Sequence, residues 1–119
     1  MKLLTKSIRQ QLLRNGEATA KYAEEGTAEP DFLPIVKLFT PDAQCTWLLS
    51  ELDPIEPDIA FGLCDLGMGF PELGSVRISE LESVRGQLGL PVERDLYFHP
   101  GKTISAYAEE ARLAGSIKA

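Results

Sequence analysis

The stretch that decides the fold is "QCTWLLSELDPIEPDIAFGLCDL", residues 44–66. It holds two apolar runs, and in the first run Cys45, Trp47 and Leu49 alternate as in a strand with one buried face. The two prolines of "DPIEPD", residues 53–58, predict a turn between the runs. A connection this short cannot form a parallel crossover, so the two predicted strands pair antiparallel.

Two more predicted strands flank this hairpin. The run "LPIVKLFTP", residues 33–41, is β-branched and aromatic and has a proline near each end. The run "SVRIS", residues 75–79, directs Val76 and Ile78 to one face. Because all four runs are joined by short connections, the sequence predicts a four-stranded antiparallel sheet.

Helical patterns lie at both ends of the chain. Residues 5–16, "TKSIRQQLLRNG", have apolar residues at helical spacing, with Thr5 as the cap and Asn15 and Gly16 as the end. Residues 103–115, "TISAYAEEARLAG", predict a final amphipathic helix. We expect these first and last helices to cover mainly one face of the sheet.

Two shorter elements complete the predicted fold, an α+β domain over residues 1–119. Ser79 and Glu82 have the spacing of a capping box, which predicts a short helix after the fourth strand. The region that follows is predicted to be a loop, with a short extended piece at residues 96–98.

The composition indicates a cytoplasmic protein. A hydrophobic fraction of 44% and a charged fraction of 25% are typical of a soluble globular domain. No apolar run approaches the roughly 20 residues of a membrane helix, and the first residues lack the pattern of a secretory signal. Cys45 and Cys64 lie outside any CxxC motif, so we interpret them as reduced core thiols.

Acidic residues dominate the middle of the chain. The net charge is −6, which disfavours direct binding to nucleic acid and suits a basic protein partner. Between Lys37 and Arg77 the sequence has no Lys or Arg. The same interval contains seven acids, which are Asp42, Glu51, Asp53, Glu56, Asp58, Asp65 and Glu72.

Four of these acids cluster around the predicted turn, namely Glu51, Asp53, Glu56 and Asp58. They are our candidate residues for binding a basic partner, and a solvated acidic rim is the plainer interpretation. The spacing of an EF-hand is absent, so no metal is expected.

The glycine-rich run "GLCDLGMGFPELG", residues 62–74, carries no cofactor motif. It lacks the ending of a Walker loop and the G-x-G-x-x-G of a dinucleotide site, so no cofactor is expected. We interpret the Gly67-Met68-Gly69 segment as a hairpin loop that needs positive φ.

A second candidate site lies late in the chain. Arg85, Glu93, Arg94 and Asp95 flank "GLP" and would come together if this loop folded back over the short helix. Such pairs usually order loops, although they can also form a binding site. His99 is the only histidine and is expected to be an exposed loop residue.

Several runs together resemble a family of small uncharacterised bacterial proteins. They are "LFTP", "TWLLSELD", "DIAFGLCDLGMGFPELG", "ISELESVRG" and "LGLPVERDLYFHP". The resemblance covers roughly residues 3–112, and its most specific part is "SELESVRG…GLPVERDLYF". Members of this family are commonly encoded on plasmids, conjugative elements and phages, and the family has no established activity. The resemblance implies an accessory or anti-defence factor that acts by binding.

Two functional hypotheses follow. The first is a non-enzymatic interaction protein of a mobile genetic element that binds a basic protein, or a protein–nucleic-acid complex, through its acidic surface. Inhibition of a host nucleic-acid-processing, CRISPR or restriction complex is one such role. The alternative is a small hydrolase-like enzyme with a pocket near Arg85, Arg94, Asp95 and His99. The sequence leaves the oligomeric state open.

Overall fold

The computed structural model describes residues 2–119, so residue 1 of the predicted domain lies outside it. Within this range the chain forms three helices and five strands. In chain order they are α1 (Lys6–Glu25), β1 (Val36–Phe39), β2 (Thr46–Leu52), β3 (Ile59–Asp65), β4 (Glu72–Arg77), α2 (Ile78–Ser83), β5 (Glu93–Arg94) and α3 (Ile104–Ala114).

All five strands belong to one antiparallel sheet with the order β4-β3-β2-β1-β5. This confirms the predicted α+β class and the antiparallel pairing. The predicted count of four strands was wrong, because β5 pairs with the outer side of β1, where Leu38 lies opposite Arg94. A strand of two residues is too short to produce a periodic pattern in the sequence.

The extended piece predicted at residues 96–98 was also misplaced. The extended backbone comes earlier, at Glu93 and Arg94. Residues 96 and 97 form a turn in which the Asp95 carboxylate accepts a hydrogen bond of 2.9 Å from the Tyr97 N–H. An aspartate that bonds the backbone two residues ahead is a turn signal, and here it competes with the strand pattern of the aromatic residues.

The helices cover both faces of the sheet, so the prediction that the first and last helices cover mainly one face was wrong. Leu49 of β2 belongs to a buried cluster with Leu12 of α1. Its neighbour Leu48 belongs to a second cluster with Leu63 of β3 and Tyr107 of α3. Consecutive strand residues point to opposite faces, and a central strand with buried residues on both faces needs a layer on each.

Helix α1 is ten residues longer than the sequence pattern predicted. The Asn15-Gly16 pair does not end it; the Asn15 side chain donates a hydrogen bond of 2.9 Å to the Ser50 carbonyl instead. Gly16 is buried, and a Cβ there would lie 1.7 Å from the Leu52 carbonyl oxygen. The glycine therefore allows α1 to approach β2 closely, and the helix ends at Gly26, which has a φ of 70°.

The short helix α2 begins without the predicted capping box. Its N-cap is Arg77, two residues before the predicted cap Ser79, and Arg77 makes no side-chain cap bond. Ser79 donates instead to Asp58, through its N–H to Oδ1 at 2.9 Å and through its hydroxyl to Oδ2 at 2.7 Å. The acceptor for this helix start comes from 21 residues earlier, beyond the range of a local motif.

The same arrangement recurs at α3. Thr103 is the N-cap residue, yet its side chain makes no cap bond. The carboxylate of Asp31 accepts hydrogen bonds from the N–H and the hydroxyl of Ser105. The hydrogen bonds from Ser105 lower the pKa of Asp31. Two helices thus begin at residues that are hydrogen-bonded to aspartates of distant loops.

Candidate functional site

The acidic residues at the end of β2 and in the β2–β3 connection lie at one end of the sheet. We call the surface formed by Glu51, Asp53, Glu56 and Asp58 the acidic end. Asp53 Oδ1 accepts hydrogen bonds from the backbone N–H groups of Ile55 at 2.8 Å and Glu56 at 3.0 Å. These bonds stabilise the charged carboxylate, lower the pKa of Asp53 and fix the shape of the loop.

Asp58 also has a structural role. Besides accepting both bonds from Ser79, it lies 3.6 Å from the Arg77 guanidinium. The hydrogen bonds from Ser79 are the main reason that the pKa of Asp58 is lowered, and the charge of Arg77 adds to the effect. Two of the four candidate acids therefore hold local structure, in addition to any role in binding.

Glu51 borders a cleft of about 210 Å³ between α1 and the β2–β3 connection. Its Oε1 accepts a hydrogen bond of 3.2 Å from the Thr19 hydroxyl. Partial burial raises the pKa of Glu51, the hydrogen bond from Thr19 opposes this rise, and the charges of Glu29 and Asp53 add to it. In the described part of the chain, no Lys or Arg lines this cleft.

The tip of the acidic end carries an exposed apolar side chain. Ile55 is 89% exposed and lies between Pro54 and Pro57 in the loop that Asp53 holds. Glu56 is exposed beside it, and within residues 2–119 its carboxylate accepts no hydrogen bond. A rigid loop that presents one aliphatic group among carboxylates can contact a partner that is both basic and apolar.

The residues predicted around "GLP" have separate partners. The Arg94 guanidinium donates to the backbone carbonyls of Lys2 at 3.1 Å and Leu3 at 2.6 Å, and so fastens the start of the chain. Asp95 lies 3.6 Å from Lys37 of β1. Among residues 2–119, these two residues form no ion pair with each other.

Arg85 and Glu93 line a second cleft, of about 380 Å³, together with Leu3, Glu82, Pro91 and Val92. The Arg85 guanidinium donates to the carbonyls of Glu82 at 3.1 Å and Val84 at 2.8 Å, at the end of α2. Neither Arg94 nor Asp95 lines this cleft. His99 is exposed, as predicted, and does not line it either.

The "GLP" loop is ordered by a residue that the sequence analysis did not single out. Asp42 Oδ2 accepts hydrogen bonds from the N–H groups of Leu88 at 2.6 Å and Leu90 at 3.2 Å. Gly86 packs directly on this carboxylate, since a Cβ there would lie 1.6 Å from Oδ1. The residues are more than 40 positions apart, so no local signal could have predicted the contact.

The described residues offer no evident metal centre. Between residues 2 and 119, no three His, Cys, Asp or Glu side chains are grouped so that they could hold a metal ion. Cys45 and Cys64 are free thiols, and burial raises the pKa of Cys64. No helix in this range is both long and apolar enough to span a membrane.

These features define the class of protein: a small α+β chain with helices on both faces of an antiparallel sheet and an acidic end. The chain matches the family described as "Protein of unknown function (DUF2958)" over residues 3–118, and it belongs to that family. No curated protein and no solved structure gives a significant match.

Proposed function

We propose that this protein is a non-enzymatic interaction protein that binds a basic protein partner through the acidic end. The observation that supports this most is the cleft beside Glu51, which is bordered by two carboxylates and has no Lys or Arg in its described lining. In the free protein, these two carboxylates accept hydrogen bonds from backbone N–H groups and from the Thr19 hydroxyl, but no cation in the described lining neutralises them.

The electrostatics favour a cation from outside. The partly buried position of Glu51 removes part of its hydration, and the charges of Glu29 and Asp53 repel it. A partner's Lys or Arg side chain entering the cleft would pair with Glu51 and lower its pKa. Arginine suits such a site well because its guanidinium is weakly hydrated and can bond a carboxylate through two N–H groups.

Ile55 would add an apolar contact to this charge pairing. Its side chain is held outward by the loop that Asp53 and the two prolines shape, so little conformational entropy is lost on binding. Carboxylates around it would steer a basic partner and determine which partners are accepted. We therefore expect affinity to depend on Ile55, and association rate to depend on the exposed acids.

The partner class follows from the charge and from the resemblance described above. Nucleic-acid-processing and defence complexes carry basic surfaces because they bind phosphate backbones. We propose that the protein is an accessory factor of a mobile element that acts in the cytoplasm on such a complex, with anti-defence inhibition as one role.

The first test is affinity capture with charge variants that spare the structural aspartates. We expect Glu29→Lys combined with Glu56→Lys to reduce recovery of basic partners from host lysate by about tenfold or more. Both residues are exposed, so the variant should keep its fold. The captured partner should also be lost from the wild type at high salt, because exposed charges are screened.

The matched control is Glu82→Lys combined with Glu93→Lys, in the second cleft. Each pair raises the net charge by four, from −6 to −2, so net charge is the same in both variants. Equal recovery of the partner by the wild type and the Glu29/Glu56 variant would contradict the proposal. Loss only in the control would place binding at the second cleft.

The enzyme hypothesis receives less support from the geometry. A general base needs a group to orient it and a substrate site within reach. His99 is exposed, Arg94 is bonded to the start of the chain, and Asp95 lies beside Lys37. Of the predicted pocket, Arg85 alone lines the second cleft.

A further inference from the structure

Strand β4 is the outermost strand on one side of the sheet, and its outer edge has no strand partner in the described chain. Just beyond the last β3–β4 pair, the Ile78 N–H donates a hydrogen bond of 2.8 Å to the Asp58 carbonyl. Asp58 and Ile78 are therefore a hydrogen-bonded pair, and this fixes which pairs of the β3–β4 ladder are hydrogen-bonded. Antiparallel residue pairs alternate between bonded and unbonded, so every second residue of β4 turns its backbone groups outward. These residues are Leu73, Ser75 and Arg77.

This edge lacks the usual protection against pairing with another chain. Natural edges are often blocked by a proline, a bulge or a charged side chain in the middle of the strand. The charges of β4 lie only at its ends, at Glu72 and Arg77, and its pairing with β3 shows no shift of register. Its four central residues are uncharged and leave the edge open.

Exposed apolar side chains lie next to this edge. The β3–β4 loop exposes Met68 by 74% and Phe70 by 82%, and Leu66 and Leu73 are exposed on either side of them. The loop lies against the end of α3, where Phe70 and Arg112 border a common depression. An exposed apolar group beside an open strand edge is typical of an interaction site.

We propose that β4 pairs antiparallel with β4 of a second copy of this chain. Backbone bonding requires an outward-facing residue opposite an outward-facing residue. A two-fold axis at Ser75 satisfies this, because Ser75 then lies opposite its own counterpart and Leu73 lies opposite the second copy's Arg77. The interface is self-complementary, as a two-fold dimer requires.

Charge favours the antiparallel arrangement. In the antiparallel arrangement, the Glu72 end of one β4 lies next to the Arg77 end of the other β4. A parallel arrangement would align like charges. In the antiparallel register the β3–β4 loop extends past the second copy's Arg77 towards its α2, so Phe70 is covered as well. This self-association goes beyond the proposed function and does not depend on it.

The test uses cysteine cross-linking at the two-fold axis. Directly opposed, bonded residues have Cα atoms about 5.5 Å apart, which is within reach of a disulfide. We therefore expect Ser75→Cys to give a disulfide-linked dimer under mild oxidation. Leu73→Cys is the matched control, since its counterpart would be displaced by about 13 Å along the strand, beyond disulfide reach. The wild type controls for Cys45 and Cys64.

Sedimentation of the protein without cross-linking completes the test. A single strand pair is a small interface, so we expect a reversible dimer with a dissociation constant on the order of 10 µM to 1 mM. Ser75→Pro removes only an outward N–H and should shift the protein to monomer. Wild type that stays monomeric at about 1 mM, a dimer that Ser75→Pro does not weaken, or equal cross-linking at positions 73 and 75 would each overturn the proposal.

Discussion

At the scale of single residues, aspartates determine much of the loop structure. Asp31 and Asp58 hold helix starts, Asp53 shapes the β2–β3 loop, and Asp42 holds the "GLP" loop. Each carboxylate accepts at least two hydrogen bonds from nearby donors. An acidic composition that looks like a uniform surface charge in the sequence thus divides into structural aspartates and unpaired acids such as Glu56.

Glu51 accepts only one hydrogen bond among the described residues, from the Thr19 hydroxyl, and its titration can be tested. Burial raises the pKa of Glu51 in the folded protein above its unfolded value. The Glu51 carboxyl therefore stays protonated to a higher pH in the folded protein than in the unfolded chain. Its ionisation lowers the free energy of unfolding as pH rises from about 4.3 through the folded pKa. Glu51→Gln keeps an acceptor for Thr19 and removes this cost.

We therefore expect the unfolding free energy of Glu51→Gln, relative to wild type, to increase between about pH 4 and pH 7. Urea denaturation at several pH values measures the difference, in which contributions from the other titrating groups largely cancel. The contrary outcomes are a difference in unfolding free energy that is independent of pH, or one that favours wild type more as pH approaches 7. Either result would show that burial does not disfavour the ionised form of Glu51.

At the scale of elements, hairpins are predictable and long-range contacts are not. The two apolar runs that form β2 and β3 and the turn residues between them predicted the central antiparallel pair, and Gly67 and Gly69 have the expected positive φ. Strand β5 and the true length of α1 depend on contacts with β1 and β2. The acidic end was also only partly predictable. The sequence grouped its acids, but it did not show which of them accept hydrogen bonds that order the loop and the start of α2.

Gly62 and Gly74 show how tightly some elements pack, because they lie opposite each other in β3 and β4. A Cβ on Gly62 would lie 2.0 Å from the Leu48 carbonyl oxygen, whereas a Cβ on Gly74 would meet nothing within 4 Å. We expect Gly62→Ala to destabilise the protein by about 3 kcal/mol or more.

Gly74→Ala is the control and should be neutral or stabilise the protein by about 0.5 kcal/mol, since it reduces the entropy of the unfolded chain. Denaturant midpoints of the two variants give the comparison. Similar losses at both positions would mean that the close approach of β2 to Gly62 does not control the stability of this part of the sheet.

At the scale of the whole molecule, the sheet separates two surfaces. The acidic end is formed by the β2–β3 connection, and the exposed loop of Met68 and Phe70 is formed by the β3–β4 connection. Successive connections of an antiparallel sheet lie at opposite ends of their strands. Within one copy the two surfaces are therefore apart. In the proposed dimer the second copy's β3–β4 loop approaches Arg77, which lies 3.6 Å from Asp58 of the acidic end.

The most direct measurement of the central claim is site-specific photo-cross-linking. A photoreactive amino acid at Ile55 would lie in the acidic end, and one at Leu88 would lie in the "GLP" loop at a similar exposure of 81%, against 89% for Ile55. We expect the basic partner to be cross-linked from position 55 and not from position 88. Cross-linking of that partner from position 88 alone would contradict binding through the acidic end.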